Sequence, residues 1–219
     1  RTKIFWSAVE EVWNLDTPEP FEGETHNFNF IVPFYNAGPW LKRCISSIKR
    51  QGYSKYRCFL IDDISTDNSC DVVRKAIEGD NRFQLVQNKT KRFALGNIVK
   101  TIETNSTDEE DINIILDGDD WLSSINILSY LNKAYTDEQC LMTYGNYIYF
   151  PSGQKGVEPS SYPLEIIEGN SFRKDKWRAS HLRTFKTKLW KGLDLEDLKD
   201  DDGDYFKTAY DQALMLPLL

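Results

Sequence analysis

The sequence predicts an α/β fold in which a mainly parallel sheet is covered by helices on both faces. Two observations support this prediction. Short apolar runs typical of strands alternate four times with stretches whose apolar residues recur at helical spacing. The helical stretches are about 10–13 residues long, as expected of helices that connect neighbouring parallel strands.

The four strand-and-helix units follow one another from Asn27 onwards. In the first unit, residues 28–33 predict a strand, and Pro39 opens a helix that continues to Arg50. One face of that helix carries Leu41, Cys44, Ile45 and Ile48. The other units pair residues 56–62 with 68–78, 83–86 with 94–104, and 112–116 with 123–135. A tyrosine-rich run over 140–150 predicts one further strand.

The N-terminal part of the chain precedes this alternation of strands and helices. Residues 4–15 place apolar side chains at helical spacing, and Pro18 and Pro20 then stop any helix. We therefore predict a peripheral helix within an N-terminal extension of residues 1–26. Residues 27–219 are long enough for one hydrophobic core and are expected to form a single domain.

The later part of the chain has fewer strand signals. Residues 151–176 are rich in proline and glycine and predict a long loop of the kind that carries function. Helix signals recur over 187–191 and from Tyr205. Because the apolar pattern continues through Leu218 and Leu219, the chain is expected to be a piece of a longer polypeptide with further domains.

Composition excludes two classes of partner. The formal net charge of −7 argues against nucleic acid, which is bound mainly by clustered lysine and arginine. No run approaches the roughly 20 apolar residues that cross a bilayer, so no membrane segment is expected in this chain. The four cysteines form no CxxC pair and favour free thiols over disulfides or zinc, which weakly indicates a cytoplasmic location. A targeting signal or membrane anchor could lie outside this piece.

An acidic cluster, Asp117-Gly118-Asp119-Asp120, follows the fourth predicted strand. Ligands of open α/β sheets bind beyond the carboxyl ends of strands, and residues two apart can point to the same side. Crowded carboxylates are unfavourable without a cation, so Asp117 and Asp119 predict a Mg²⁺ or Mn²⁺ site that also holds a diphosphate. The alternative is a solvated turn that caps the helix starting near Ser123. An EF-hand is excluded because its twelfth position would be Leu128.

The neighbouring strand ends carry suitable groups for the rest of a nucleotide. Tyr35 offers an aromatic face to a base, and Asp62 and Asp63 offer carboxylates to base or ribose edges. Arg92 follows the third strand within a basic loop and can pair with a diphosphate. Each has a structural alternative: Tyr35 packing in the protein, Asp67 capping the next helix, and Arg92 as plain surface charge.

Three motifs together resemble glycosyltransferase family 2, the inverting enzymes of the GT-A fold, whose sheet is Rossmann-like, mixed and mainly parallel. They are Ile31-Val32-Pro33-Phe34-Tyr35-Asn36, Asp62-Asp63-Ile64-Ser65-Thr66-Asp67 and Leu116-Asp117-Gly118-Asp119-Asp120. The resemblance covers roughly residues 28–215. It implies a nucleoside-diphosphate sugar donor, often UDP-linked, and an acceptor hydroxyl on a carbohydrate, protein or lipid.

The resemblance also implies roles for the residues of these motifs. Pro33 and Tyr35 would line the base pocket, and Asp62 and Asp63 would include the group that reads the base. Asp117 would contact the ribose or a metal-bound water. Asp119 would ligate Mn²⁺ or Mg²⁺ through an aspartate-x-aspartate motif.

Three more residues are assigned through the resemblance. Arg92 lies where the family often has a basic residue, although the usual glycine-rich surroundings are altered. Asp211 matches the catalytic base, with a single acid where the family has a doublet; the acids of residues 200–204 compete for this role. His181 would contact the metal or the diphosphate, unless it is a structural histidine.

The predicted reaction is a single displacement at the anomeric carbon of the sugar, with Asp211 as the base. The loop of residues 151–176 and Trp177 are candidates for the acceptor side. A sugar nucleotidyltransferase is a weaker alternative, because residues 35–40 lack the glycine- and basic-rich loop expected of one. A binding domain without turnover is also an alternative, which the single acid at Asp211 leaves open.

Overall fold

The computed structural model describes residue 23 and residues 25–137, 140–156 and 160–219. The predicted helix of residues 4–15 lies outside these described residues. No helix within them is long and apolar enough to span a bilayer.

The described residues form a six-stranded sheet in the order β3-β2-β1-β4-β6-β5. Strands β1 to β4 are parallel to one another, and β6 lies antiparallel between β4 and β5. The strands are β1 Phe28–Phe34, β2 Tyr56–Asp62, β3 Phe83–Gln87, β4 Ile112–Ile115, β5 Met142–Gly145 and β6 Ser180–Lys186. The predicted mixed, mainly parallel sheet is therefore confirmed.

Helices cover both faces of this sheet. They are α1 Gly38–Lys49, α2 Ser69–Ile77, α3 Phe93–Asn105, α4 Ile127–Asp137, α5 Leu164–Glu168, α6 Thr187–Lys191 and α7 Tyr210–Leu218. Two short 3₁₀ helices span Phe172–Lys174 and Leu195–Leu198. Each of the four predicted strand-and-helix units is present. Helix α1 begins with a proline in its first turn and buries the predicted apolar face.

The core consists of two layers because side chains of a strand alternate between the faces of the sheet. In β1, Phe28, Phe30 and Val32 pack into one layer with α1 and α4. Ile31 points to the other layer, which includes apolar residues of α3 and α7. Since both layers are filled, every residue of β1 is buried. The carboxyl ends of the parallel strands are thus held on a rigid support.

Strand β6 is an element that the sequence analysis did not predict. Its Thr184 hydroxyl lies 2.6 Å from the Thr143 hydroxyl of β5 and 2.8 Å from the hydroxyl of Tyr135 in α4. These buried polar contacts join the reversed strand to β5 and to α4. Because β6 runs antiparallel to β4, the start of β6 lies beside the end of β4, where Arg183 pairs with Ile115.

The segment over 151–176, predicted as a long loop, contains helix α5 and a 3₁₀ helix in its described part. Tyr162 and Phe172 are buried, and their rings pack edge to face with centroids 5.0 Å apart. These helices have only five and three residues, too few to produce a helical apolar period. The sequence pattern therefore missed them.

Candidate functional site

The predicted site residues of β1 and β4 meet at the carboxyl edge of the sheet. The amide of Gly118 donates to the carbonyl oxygen of Pro33 over 3.2 Å, so the acidic turn lies against the end of β1. A Cβ atom at position 118 would lie 2.5 Å from Cβ of Phe34. Only glycine permits this close approach, which brings Asp117 and Asp119 next to the first strand.

The acidic turn is closed by a hydrogen bond from the amide of Asp120 to the carbonyl oxygen of Asp117, 3.0 Å long. Such a turn brings its first and fourth residues together, whereas the two-residue alternation of a strand no longer applies. Ligand atoms of Asp117, Asp120 and His181 accordingly lie within 4.8 Å of one another. This group contains Asp120 where the sequence analysis has Asp119. The ligand role of Asp119 stays a prediction.

The carboxylates of this turn repel one another. Burial raises the pKa of Asp120 to about 6, and the negative charges of Asp117 and Asp119 add to the rise. Half of the Asp120 side chain nevertheless reaches solvent. Helix α4 begins only at Ile127, so the turn does not serve as its direct cap. The turn is therefore an accessible concentration of negative charge.

Arg183 and Tyr210 were missed by the sequence analysis and complete this cluster. Arg183 is 1% exposed, and its Nη2 lies 3.4 Å from Oδ2 of Asp117. The hydroxyl of Tyr210 donates to the other oxygen of Asp117, and the guanidinium lies 5.1 Å from the Tyr210 ring centre. Within the described part of the chain, Nε and Nη1 of Arg183 have no hydrogen-bond partner. A strand prediction for β6 would have indicated Arg183, because residues 181 and 183 then share a face.

His181 is held next to this guanidinium. Its Nδ1 lies 2.8 Å from Nη2 of Arg183, and since a guanidinium only donates, Nδ1 is the acceptor. Burial and then the Arg183 charge lower the pKa of His181 to about 4, while the charges of Asp211 and Asp119 oppose the shift. His181 is therefore neutral near pH 7. Nδ1 also lies 3.8 Å from Oδ2 of Asp120. Because Nδ1 already accepts from Arg183, a cation could bind to it only after the Arg183 side chain has moved.

Asp211 lies in the first turn of α7, beside Tyr210, and is half-buried. The negative charge of Asp211 opposes the lowering of the pKa of His181. Among the competing acids, Asp200 accepts hydrogen bonds from the amides of Asp202 and Asp204. The carboxylate of Asp200 is therefore satisfied within its own loop. The catalytic role of Asp211 stays a prediction.

The end of β2 carries two carboxylates with different surroundings. Asp62 accepts from the amide of Ser65 over 2.9 Å. Asp63 accepts from the amides of Arg92 and Phe93 over 2.8 and 3.0 Å and from the side chain of Asn88 over 3.0 Å. Burial alone would raise the pKa of Asp63, but these hydrogen bonds outweigh it and lower the pKa. Asp63 thus connects β2 to the start of α3, whereas Asp62, which is equally buried, binds groups close to it in the chain, the Ser65 amide and the Cys70 thiol.

Tyr35 and Arg92 lie at the outer part of this edge. The Tyr35 side chain is 49% exposed, and Nζ of Lys91 lies 3.4 Å from its ring centre. Tyr35 therefore offers an aromatic face that is not packed in the core, although Lys91 covers it. The side chain of Arg92 is exposed, while its backbone amide binds Asp63. Asp67, by contrast, binds the amides of Gly38 and Ser69, the first residues of α1 and α2, which is a structural role, although the N-cap residue of α2 is Asn68.

The strand order and the acidic turn at the carboxyl edge define a GT-A type α/β domain. Residues 29–193 match the family model described as glycosyl transferase family 2. The chain therefore belongs to glycosyltransferase family 2 and carries a glycosyltransferase domain. The match includes His181 and Arg183 but ends before Tyr210 and Asp211.

Individual relatives agree with this assignment. Glycosyltransferase GlyA of Streptococcus pneumoniae is 23% identical over 189 residues, which cover 82% of this chain and 26% of GlyA. The fold is similar to that of S. aureus TarS solved in complex with UDP, with a TM-score of 0.59, 19% identity and coverage of 87% and 55% of the two chains. It is also similar to the mannosyltransferase PcManGT from Pyrobaculum calidifontis, solved with GDP-Man and Mn²⁺, with a TM-score of 0.57, 19% identity and coverage of 84% and 53%. The chain thus spans about a quarter of that curated relative and about half of each solved structure.

Proposed function

We propose that this domain transfers a sugar from a nucleoside-diphosphate donor, most simply a UDP-sugar, to an acceptor hydroxyl with inversion and with the help of a divalent cation. The observation that carries the proposal is the meeting of an exposed aromatic face, Asp62 and the acidic turn at one sheet edge. Two structural neighbours were solved with UDP and with GDP-Man and Mn²⁺, which supports a nucleotide-linked donor.

The residues of the acidic turn fit a divalent cation. Burial and then the charges of Asp117 and Asp119 raise the pKa of Asp120, and the Arg183 charge opposes this rise only in part. Carboxylate oxygens and a neutral imidazole are suitable ligands for Mn²⁺. We assign the cation to Asp117 and Asp120, with Asp119 and His181 as further candidates. When bound, a divalent cation there would offset the negative charge of a diphosphate.

The remaining residues hold the donor. Tyr35 and Pro33 contact the base, and Asp62 accepts hydrogen bonds from a base or ribose edge. Asp63 acts indirectly, because it holds the loop that carries Arg92. We assign to Arg92, whose backbone amide binds Asp63 and whose side chain is exposed, a contribution of positive charge toward the diphosphate.

Asp211 is the proposed base for the transfer. Its carboxylate takes the proton of the acceptor hydroxyl while that oxygen attacks the anomeric carbon. The bond between the sugar and the diphosphate breaks, and its electron pair leaves with the nucleoside diphosphate. Attack from the face opposite the leaving group inverts the configuration.

Donor binding tests the first part of the proposal. Isothermal titration calorimetry with UDP-glucose, UDP-N-acetylglucosamine and GDP-mannose is expected to show one UDP-sugar that binds in Mn²⁺ and at least tenfold more weakly in EDTA. Absence of binding by every nucleotide sugar would overturn the proposed function. Preference for GDP-mannose would overturn the UDP assignment alone.

Turnover tests the second part. Asp211→Asn is expected to retain donor binding and to lose about 100-fold or more in the rate of nucleoside diphosphate release with acceptor, as for the loss of a general base. Asp201→Asn, in the exposed acidic loop, is the matched control and is expected to retain full rate. A wild-type protein that binds donor without any turnover would favour the alternative of a binding domain. Family membership already disfavours a nucleotidyltransferase.

A further inference from the structure

A cavity of about 900 Å³ opens beside the acidic turn. Asp119, Asp120 and His181 lie at its polar side. The residues proposed to hold the nucleotide, Tyr35 and Asp62, are not among the described residues that line it. The cavity is therefore a second compartment that shares the acidic turn with the proposed donor site.

The floor of this cavity is mostly aliphatic. It is formed mainly by the side chains of Leu116, Leu122, Ile127, Leu131, Ala134 and Leu182, together with the buried Tyr144 and Thr143, whose hydroxyl is already bonded to Thr184. Leu116, Leu122 and Ala134 are less than 8% exposed, which places them at the bottom of the cavity. A sugar ring needs hydrogen-bonding groups around its edge, and the aliphatic side chains offer none. The floor matches a hydrocarbon chain instead.

The rim of the cavity is aromatic. Trp40, Tyr149 and Phe150 line the cavity and are 43%, 52% and 58% exposed. The rings of Phe150 and Trp121 pack edge to face, and the Arg43 guanidinium lies within 5 Å of both ring centres. Exposed apolar side chains grouped around a concave site are typical of ligand-binding surfaces. The rim thus extends the apolar surface of the floor out to solvent.

The cavity is also large enough for both a hydroxyl-bearing head group and an apolar chain attached to it. Its volume lies at the upper end of the roughly 300–1,000 Å³ seen for small-molecule sites. Because the proposed base Asp211 is not among the described residues that line the cavity, the acceptor hydroxyl lies at the polar edge of the cavity next to His181, and the floor remains free for an attached group. Resting on the proposed transferase function, we infer that the acceptor is a lipid-type glycoside or alcohol whose alkyl or isoprenyl chain binds on this aliphatic floor.

The chain preference can be measured without knowing the natural acceptor. Methyl, n-octyl and geranyl β-D-glucopyranoside share one head group and differ in the attached chain, and their dissociation constants are compared by calorimetry below the micelle concentration. Each buried methylene is expected to improve binding roughly fourfold. We therefore expect the octyl or the geranyl compound to bind at least about 100-fold more tightly than the methyl compound. The tighter of the two identifies a straight or an isoprenoid chain.

Cavity variants locate the effect. Ala134→Trp and Leu131→Trp fill the floor and are expected to remove most of the chain preference. Two cavity variants are used so that the test remains possible if one of them does not fold. Leu164→Trp, at a side chain that is 66% exposed and outside the cavity, is the matched control and is expected to retain the preference. Equal binding of the three glucosides, or a chain preference that survives in both folded cavity variants, overturns the inference.

Donor binding measured on the same samples separates this inference from the proposed function. Donor binding without a chain preference overturns the lipid-type acceptor and leaves the transferase function intact. A chain preference without binding of any nucleotide sugar contradicts the transferase function, and with it the acceptor role of the cavity.

Discussion

Two acidic clusters lie at the carboxyl edge of the sheet, and their carboxylates have opposite properties. At the end of β2, hydrogen bonds from two backbone amides and Asn88 lower the pKa of Asp63. In the turn after β4, burial and neighbouring carboxylates raise the pKa of Asp120 to about 6. The first carboxylate is satisfied by the chain itself. The second lacks enough positive charge, which is the physical reason to expect a cation there.

The same two clusters differ in how far along the chain their partners lie. Asp62 binds an amide three residues away, and Asp63 binds amides 29 and 30 residues away. Asp117 contacts side chains 66 and 93 residues away, on β6 and α7. The β2 cluster is thus built by consecutive strand-and-helix units, whereas the β4 cluster depends on elements added later. A structural role is expected for Asp63 in the first cluster and a chemical role for the carboxylates of the second.

The largest expected effect is on the β2 cluster. Asp63→Ala leaves two backbone amides at the start of α3 without their acceptor, which is expected to lower the free energy of unfolding by about 3 kcal/mol. Urea unfolding measures this change, with the exposed Asp71→Ala as control. A loss of unfolding free energy below about 1 kcal/mol would contradict the structural role of Asp63 and the proposed contrast between the two clusters.

The next effect concerns Arg183, the positively charged side chain of the β4 cluster. Arg183→Met removes a buried guanidinium and leaves Asp117 facing Asp120 without compensation, so a loss of about 2 kcal/mol in unfolding free energy is expected. Arg74→Met is the control, because its ion pair with Asp71 is exposed and contributes roughly 0–1 kcal/mol. Equal stability of Arg183→Met and wild type would show that the guanidinium does not stabilise the cluster.

The smallest effect has the opposite sign. Asp120→Asn removes one of the repelling charges and is expected to raise the unfolding free energy in EDTA by about 1 kcal/mol at pH 8, a discounted value because half of the side chain is exposed. Because the folded pKa lies near 6, above the unfolded value, ionised Asp120 destabilises the fold above pH 6. The gain should therefore shrink as pH falls through 6 and vanish below about pH 4.

Mn²⁺ provides the complementary measurement for this variant. Wild type is expected to gain thermal stability on addition of Mn²⁺, and Asp120→Asn is expected to gain much less. If Asp119→Asn loses the response to Mn²⁺ and Asp120→Asn retains it, the ligand assignment returns to the aspartate-x-aspartate pair.

Much of the part of the site that lies at the ends of β1 and β2 could be predicted from sequence. Each strand there is a continuous apolar run followed at once by the residues of the site, as for Tyr35 and Asp62. In parallel units the strand ends are necessarily on the same edge, so local pattern determines proximity. The position of Asp63 was predicted in this way, but its binding to the start of α3 was not, because backbone amides leave no signal in sequence.

The β4 side could be predicted only in part. The acidic cluster is evident in the sequence, but the alternation of a strand does not continue into the turn, so the sequence does not indicate that ligand atoms of Asp117 and Asp120 lie within 4.8 Å of each other. Arg183 and Tyr210 were not recognised, since neither carries a motif of its own. Strand β6 was also missed, and with it the reason that His181 lies beside Arg183.

By itself, the sequence determined the first four strand-and-helix units, the edge that carries the candidate site and the acidic character of its turn. These follow from apolar periodicity and from chain order, both of which act over a few residues. Only the tertiary structure decided which acid faces His181, where Arg183 places its charge, and that an aliphatic cavity adjoins the turn. Those features arise from an antiparallel strand and a distant helix, and contacts between segments 66 to 93 residues apart leave no local pattern in the chain.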